Sequence, residues 1–255
     1  MRESSHIARD LFGGTFKRWS KAQGSPVTEA DLAIDKCLRE QLCSARPSYG
    51  WLSEESEDDK KRLAHETVFI VDPIDGTVAF LKARPHFTIC AAVVHEGRPI
   101  AGAVYNPILD EMYAARVCGG ATLNGAIIHV SERTHLEGAR VLGSRELFEH
   151  PAWKTPPNRP WPSMDIENRS SIAYRLALVA SSAFDAMMAL SAKRDWDLAA
   201  ADIIVTEAGG LASTHDGKLM RYNGPSAMQP SVIAAGPALH AEILARVEHI
   251  ELPRK

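Results

Sequence analysis

Basic excess is the first thing this chain lacks. Its 29 Lys and Arg face 32 Asp and Glu, a formal charge of −3 over 255 residues, without the positive balance that a nucleic-acid or membrane-surface binder shows. Cysteine is scarce too. Cys37, Cys43, Cys90 and Cys118 form no C-x-x-C pair, and three of them sit among apolar neighbours, as buried reduced thiols do. That usage points to a reducing compartment, and a cytoplasmic location is expected. The charged opening Met1-Arg2-Glu3-Ser4-Ser5-His6-Ile7-Ala8-Arg9-Asp10 has no apolar h-region, so a signal peptide is not expected. Nor is any run long enough to cross a bilayer, which takes about 20 apolar residues. The longest weakly polar stretch, 176–192, is broken by Ser181-Ser182 and Asp185 and reads as a buried helix. Internal repeats and low-complexity segments are missing. What is present is a globular composition, 45% hydrophobic and 24% charged, which excludes disordered, collagenous and coiled-coil chains. At roughly 100–200 residues per domain, the length suits one large or two modest domains.

After Pro26-Val27-Thr28, the residues Ile34, Cys37, Leu38 and Leu42 form the i, i+3, i+4, i+8 stripe of an amphipathic helix, with Thr28 as its N-cap. Val68-Phe69-Ile70-Val71 predicts a buried strand stopped by a turn at Asp72-Pro73. Segments 88–94, 100–105 and 111–115, joined by turns at 95–98 and Asn106-Pro107, read as an antiparallel meander. Asn124-Gly125 marks a further hairpin turn. Beyond about residue 138 the character changes. A Pro- and Trp-rich loop spans 151–162; helical patterns follow over 172–190, with Met187-Met188 in the helix core, and over 197–208, closed by Gly209-Gly210. Short strands near 211–213 and 231–235 alternate with them. The expected organisation is an α+β half over 1–139, carrying the meander, and an α/β half over 140–255.

The sharpest local feature is Asp72-Pro73-Ile74-Asp75-Gly76-Thr77. Asp72 sits at the carboxyl end of a buried strand, where open sheets present ligand sites. Two carboxylates three residues apart across a tight turn converge on one point, with the Ile74 carbonyl between them, and hard cations such as Mg²⁺ take oxygen ligands of this kind. Gly76 lets the backbone approach a bound group, and a helix opened by Thr77 points its first N–H groups at the same place, where a phosphate fits. The competing reading is a plain strand-to-helix turn in which both aspartates only cap the helix. Two further acidic segments bear on that choice. In Ser53-Glu54-Glu55, after the apolar Trp51-Leu52, one reading turns Glu54 inward while Glu55 and the run Glu57-Asp58-Asp59 face water, and the other leaves the Glu pair on the surface, as is usual for such pairs. In Asp195-Trp196-Asp197-Leu198-Ala199-Ala200-Ala201, a helix start with small residues for close packing, Asp197 also suits the helix dipole alone.

Glu54-Glu55, then the motif at 72–77, then Trp196-Asp197-Leu198-Ala199-Ala200 with Glu207-Ala208-Gly209-Gly210 at the helix end, in that order, resemble the magnesium-dependent, lithium-sensitive phosphatase superfamily. That superfamily includes inositol monophosphatase and 3′(2′),5′-bisphosphate nucleotidase. The similarity runs from Gly24-Ser25-Pro26-Val27-Thr28 to Ala234-Ala235. It implies a layered α-β-α-β-α sandwich of the sugar-phosphatase type and two or three Mg²⁺ between the halves. By the resemblance, Glu54, Asp72 and the Ile74 carbonyl hold the first ion, Asp72, Asp75 and Asp197 the second, and Glu54 with waters meets a third. Two metals about 3.5–4 Å apart stabilise both the attacking and leaving oxygens of an in-line displacement. The resemblance further implies that Thr77, bonded to Asp31, orients the attacking water, and that the Gly76 and Thr77 amides hold the phosphate. Read by itself, Thr28-x-x-Asp31 also fits a capping box, although that motif prefers the longer Glu or Gln.

Segments 52–55, 71–80 and 171–180 look most like the bacterial bisphosphate-nucleotidase branch, which removes the 3′-phosphate of adenosine 3′,5′-bisphosphate, a by-product of sulfate activation. Inositol phosphatases commonly carry a Glu just before the Trp-Asp motif, where this chain has Met187-Met188-Ala189-Leu190. The alternatives are an inositol- or histidinol-phosphate phosphatase of the same fold and, outside enzymes, a nucleotide-binding sensor. A bisphosphate needs cations beyond the metals. Ser144 with Arg145, and Lys193 with Arg194, are the candidates, Arg gripping phosphate bidentately, against the reading that these are solvated surface charges. Trp153 or Trp161 would stack an adenine. Ser170-Ser171, where the family has Gly-Ser, and Ser181-Ser182-Ala183-Phe184-Asp185, where it has Gly-Glu-Ala-Asp, depart from the pattern. Few residues precede Phe12-Gly13-Gly14, so a short first helix is expected. No histidine has H-x-x-x-H or zinc spacing, and His86 beside Pro85 reads as surface or packing. The expected partners are a small phosphorylated nucleotide and a second copy in a homodimer, with no nucleic-acid polymer and no stable membrane association. With Asp31, Glu54, Asp72, Asp75 and Asp197 gathered in one cleft, the rest of the chain is slightly cationic, which suits a small anion.

Overall fold

A computed structural model describes residues 1–20, 26–58 and 60–252. Gly24 and Ser25, where the resemblance begins, and Asp59 of the acidic run lie outside the described residues. The first part of the chain folds as α1 (Ser5–Leu11), β1 (Arg18–Ser20), β2 (Pro26–Thr28), α2 (Glu29–Ala45), β3 (Gly50–Ser53), β4 (Thr67–Asp75), α3 (Thr77–Leu81), β5 (Thr88–His95), β6 (Arg98–Asn106), β7 (Glu111–Arg116), β8 (Ala121–Leu123) and β9 (Ala126–Ile128). Strands β3 to β9 make a seven-stranded sheet in sequential order, antiparallel except for the β3–β4 pair. Then come β10 (Arg140–Leu142), α4 (Arg145–Phe148), β11 (Asp165–Glu167), α5 (Ile172–Ala180), β12 (Ala186–Ala189), β13 (Lys193–Arg194), α6 (Asp195–Glu207), β14 (Leu211–Ser213), β15 (Met228–Gln229), β16 (Val232–Ala235) and α7 (Pro237–Val247). A second, five-stranded sheet has the order β11-β10-β12-β16-β14, with β10 parallel to both neighbours and β16 antiparallel to both.

Period-two alternation along the strands builds the layers. On β5, Cys90, Ala92 and Val94 face the α5–α6 pair between the sheets, while Ile89 and Ala91 face α1 and α2 on the other side. A third apolar cluster lies beyond the second sheet, under α7. The order is therefore helix, sheet, helix, sheet, helix, as the resemblance implied. The small residues of α6 allow its close approach: a Cβ on Gly102 of β6 would stand 2.4 Å from the Ala200 carbonyl oxygen.

Several expectations hold. The α2 helix starts at the Thr28 cap, the meander runs through β5, β6 and β7, and Asn124-Gly125 turns with φ of 51° and 85° between β8 and β9. Gly209, at φ +85°, closes α6. Others need correction. Residues 172–190 are not one helix, nor is 176–192 a buried one. The α5 helix ends at Ala180, Ser182 takes a left-handed φ of 55°, and Met187-Met188 belong to β12, a central strand paired on both edges. A strand buried on both faces is a continuous apolar run, in which helical and strand periods look alike.

Nor does β4 stop at Asp72-Pro73. It continues to Asp75, with a register shift against β5 between Asp72 and Asp75; Pro73, which has no N–H to give a ladder, sits in that bulge. Trp153 and Trp161 are unavailable to a base. Their rings pack edge to face 5.2 Å apart, Phe148 meets Trp161 in the same way, and the Trp153 Nε1–H donates to the Leu147 carbonyl. Asp58 is not simply solvated, because it accepts two hydrogen bonds from the buried Arg62, at 2.9 and 2.8 Å. Of the four free cysteines only Cys90 is buried; Cys118 is exposed. Among the described residues no helix is long and apolar enough to cross a membrane.

Candidate active site

Residues three apart on a regular strand point to opposite faces. The shift at Pro73 changes that for β4, turning Asp72 and Asp75 toward the same cleft. Asp72 accepts from the Ile74 N–H through Oδ1 at 3.0 Å, while its Oδ2 is buried and has no hydrogen-bond partner. Asp75 Oδ2 accepts from the Ser171 hydroxyl at 2.7 Å and the Ala173 N–H at 2.6 Å, which ties the end of β4 to the start of α5. Asp197, in the first turn of α6, accepts from the Arg194 N–H at 2.9 Å. One carboxylate oxygen from each of Asp72, Asp75 and Asp197 lies within 4.8 Å of the other two. Glu54 follows β3, half-buried, with its N–H donating to the Val71 carbonyl at 3.3 Å, and lines the same cleft of about 260 Å³.

These acids disfavour one another's ionisation. Burial, then the charges of Glu54, Asp75 and Asp197, hold Asp72 well above the usual carboxylate range. Burial pushes Asp75 up to about 6 against the pull of its bonds from Ser171 and Ala173, and pushes Asp197 up to about 8 with help from Asp75. Close, acceptor-only oxygens, one of them buried without a donor, are what a hard divalent cation satisfies. The donor set fits such an ion.

Asp31 meets a different neighbour through each oxygen. Oδ2 closes the capping box, accepting from the Thr28 N–H at 2.8 Å and the Thr28 hydroxyl at 2.5 Å, while Oδ1 lies 3.4 Å from the Thr77 hydroxyl. Burial raises its carboxyl to about 6. The Thr77 hydroxyl also lies 3.1 Å from the Ile74 carbonyl oxygen. Gly76, between them at φ +94°, has no room for a side chain, since a Cβ there would meet the Ser171 nitrogen at 3.0 Å.

The sequence-predicted substrate residues divide. Ser144 and Lys193 line a second cavity of about 350 Å³, which shares Ile172 with the carboxylate cleft. Lys193 Nζ donates to the Ser191 hydroxyl at 2.6 Å. Arg145 is turned away, exposed and donating to the Ile166 carbonyl, and Arg194 lies over the Trp196 ring with its guanidinium on the Ser226 carbonyl. Sequence reasoning missed Arg175. It is half-buried on the wall of the second cavity, its Nε–H donating to the Arg169 carbonyl at 2.6 Å. The signal was available: one cation in the otherwise apolar helix Ile172–Ala180. His86 stacks on Tyr174, ring centres 6.3 Å apart, as its packing reading expected.

A helix-sheet-helix-sheet-helix sandwich with a carboxylate cluster of this kind at a strand end defines a metal-dependent phosphatase. The chain belongs to the inositol monophosphatase family, whose profile matches residues 2–252. It is similar to an inositol-1-monophosphatase of Rhizobium meliloti, with 33% identity over 243 residues covering 92% of this chain and 87% of that one. A Nus factor SuhB of Pasteurella multocida is 30% identical over 235 residues, covering 89% and 84%. Among solved structures, a Thermotoga maritima IMPase superposes with a TM-score of 0.82 at 28% identity, covering 97% of this chain and 93% of that one.

Proposed function

We propose that this chain is a Mg²⁺-dependent phosphomonoesterase whose substrate carries a second anionic group, with adenosine 3′,5′-bisphosphate as the member of that class it hydrolyses at the 3′ position. The observation that supports this reading is the second cavity beside the carboxylate cleft, with Arg175 and Lys193 on its wall and Ile172 common to both. A phosphate seated at the carboxylates directs the rest of its substrate toward those cations.

Glu54, Asp72, Asp75, Asp197 and the Ile74 carbonyl would hold the metal. When bound, the ion neutralises phosphoryl charge and lowers the pKa of the attacking water. The chain's own residues then position the reaction. Thr77 directs its hydroxyl proton to Asp31 Oδ1 or the Ile74 carbonyl, leaving its oxygen lone pairs to accept from the water. Asp31, ionised above about 6, holds that hydroxyl in place. Gly76, with no side chain, lets its turn lie against the Ser171 backbone. In this reading residues 1–139 supply Glu54, Asp72 and Asp75, and residues 140–255 supply Asp197 and the cationic wall.

The names of relatives such as the Rhizobium meliloti protein favour an inositol phosphate as the competing substrate. Against it, the cavity wall at Met188, Ala189 and Leu190 is apolar where ring hydroxyls need partners. Phosphate release from adenosine 3′,5′-bisphosphate, inositol 1-phosphate and histidinol phosphate, compared as kcat/KM with Mg²⁺, tests the choice. The nucleotide is expected to lead; equal or better turnover of inositol 1-phosphate overturns the assignment.

A further inference from the structure

Asp35 stands one helical turn beyond Asp31 on α2, so both side chains leave the same face of the helix. It is buried, and each of its oxygens takes a hydroxyl: Ser53 Oγ donates to Oδ1, and Ser56 Oγ donates to Oδ2 at 2.8 Å. Ser53 is the last residue of β3 and Ser56 lies three residues on. One carboxylate therefore spans the turn that carries Glu54. Other bonds brace the same turn. The Glu55 N–H donates to Ser53 Oγ at 3.3 Å, the Trp51 Nε1–H donates to Ser56 Oγ at 3.1 Å, and the Glu54 N–H reaches the Val71 carbonyl, next to Asp72.

Among the described residues no cation lies within ion-pair distance of Asp35. A buried carboxylate satisfied only by neutral hydroxyls costs stability, and here it adds one more negative charge to a region already rich in acids. An apolar residue would fill the space at less cost. What the carboxylate adds is a fixed turn at one place beside the cluster.

We propose that Asp35 is a positioning residue for the metal centre: by clamping Ser53 and Ser56 it holds the Glu54 carboxylate toward Asp72, Asp75 and Asp197. Because Asp31 and Asp35 share α2, one helix sets both the partner of Thr77 and the turn that carries Glu54. The proposal rests on the reading of Glu54 as a metal ligand. Losing a group that orients a ligand typically weakens metal affinity by about 10- to 100-fold.

The test is Mg²⁺ affinity of the metal-free protein, by titration calorimetry and by the Mg²⁺-induced rise in Tm, for wild type, Asp35→Asn, Ser56→Ala, Glu54→Gln and Asp185→Asn. Asp185 is a buried carboxylate clamp outside the cleft, accepting from the Ser131 hydroxyl at 2.7 Å and the Arg140 N–H at 2.8 Å and, unlike Asp35, paired with Arg133 at 3.3 Å. Asp35→Asn is expected to weaken Mg²⁺ binding about 10- to 100-fold and Ser56→Ala by less, with kcat recovering at high Mg²⁺ and substrate KM unchanged there. Asp185→Asn is expected to lower Tm and leave Mg²⁺ affinity alone. Wild-type affinity in Asp35→Asn beside weak binding in Glu54→Gln overturns the positioning role, as does an equal loss in Asp185→Asn. Wild-type affinity in Glu54→Gln overturns the ligand reading and the proposal with it. If Asp35→Asn does not fold, unchanged affinity in Ser56→Ala decides against the proposal.

Discussion

Asp195 and Asp197 sit two residues apart in the first turn of α6 and have opposite surroundings. Asp195 is fully buried among donors: Gln229 Nε2–H reaches Oδ1 and the Asn223 N–H reaches Oδ2, both at 2.8 Å. Arg62 extends that network, its Nη1–H donating to the Asn223 side-chain oxygen at 2.6 Å. Among the described residues Asp197 takes one hydrogen bond, from the Arg194 N–H, and the carboxylates of Asp75 and Glu54 outweigh the pull of Lys193 on it. The first arrangement stabilises a fold; the second penalises ionisation of the carboxyl until something positive binds. Two residues apart on a helix, the side chains leave about 200° apart, so the neighbouring segments supply donors to one residue and acids to the other.

Replacing each residue in turn is the strongest way to break this contrast. Asp197→Asn is expected to cut kcat/KM on the order of a thousandfold, the equivalent of losing several kcal/mol of transition-state charge stabilisation, while the metal-free protein melts no lower than wild type. Asp195→Ala strands the Gln229 and Asn223 donors and is expected to cost about 1–3 kcal/mol of stability, with activity at saturating Mg²⁺ reduced far less. Phosphate-release kinetics beside thermal denaturation would show the pattern; a large stability loss in Asp197→Asn removes the distinction. Next in size is Thr77→Ala, which keeps the metal ligands and deletes only the hydroxyl near Asp31. It should lower kcat by roughly a hundredfold, the lower end of what a positioned proton acceptor contributes, with little change in KM. A fall in KM-limited rate alone would place Thr77 in binding and not in orienting water.

The cluster was more legible than its surroundings. Asp72 and Asp75 were readable because turn chemistry leaves local marks, namely Pro73 and Gly76, whereas Asp197, which suits the helix dipole alone, joined them only through the family resemblance. The meander and the Asn124-Gly125 turn were legible through turn chemistry too. Where burial is complete on both faces, pattern fails: Ala186 to Ala189 reads as helix or strand until Ser182 is seen at positive φ. Long-range contacts leave no mark either. Nothing near Ser53 announces that Asp35, 18 residues earlier, receives its hydroxyl, and the Pro-rich context of Trp153 and Trp161 suggested exposure where the rings in fact pack on Phe148.

Arg175 and Arg145 sharpen the contrast on the cationic side, one lining the second cavity and one turned away from it. Removing a guanidinium that grips phosphate costs about 1.5–3 kcal/mol where the hydrogen bond is charged. Arg175→Ala is therefore expected to raise KM for a bisphosphate about tenfold and to spare a monophosphate. Arg145→Ala should change neither by more than about twofold, in line with exposed ion pairs worth under about 1 kcal/mol. Steady-state kinetics on the matched pair of substrates would measure this, and equal effects of both variants would end the role given to the second cavity.

The smallest effect concerns the metal-free protein and pH. Asp75 and Asp197 are pushed up to about 6 and about 8, and Asp72 is held higher than its ordinary range, whereas in the unfolded chain these groups ionise near about 3.9. Between those values the folded state binds more protons than the unfolded one, so the contribution of these groups to stability falls as pH rises from about 4 to about 8. Tm without metal is expected to drop by on the order of a few degrees between pH 5 and pH 8. Saturating Mg²⁺ should reduce that slope, because the ion binds the ionised ligand carboxylates and competes with protons for them, and leave the part due to Asp31 and Asp202, each raised to about 6 by burial. Asp197→Asn should flatten it in part. Asp195→Asn should flatten it less than Asp197→Asn does, since burial raises that carboxyl too but the bonds from Gln229 and Asn223 hold it back. A flat wild-type profile without metal, or a slope lost in Asp195→Asn and kept in Asp197→Asn, would reverse the roles assigned to the two residues.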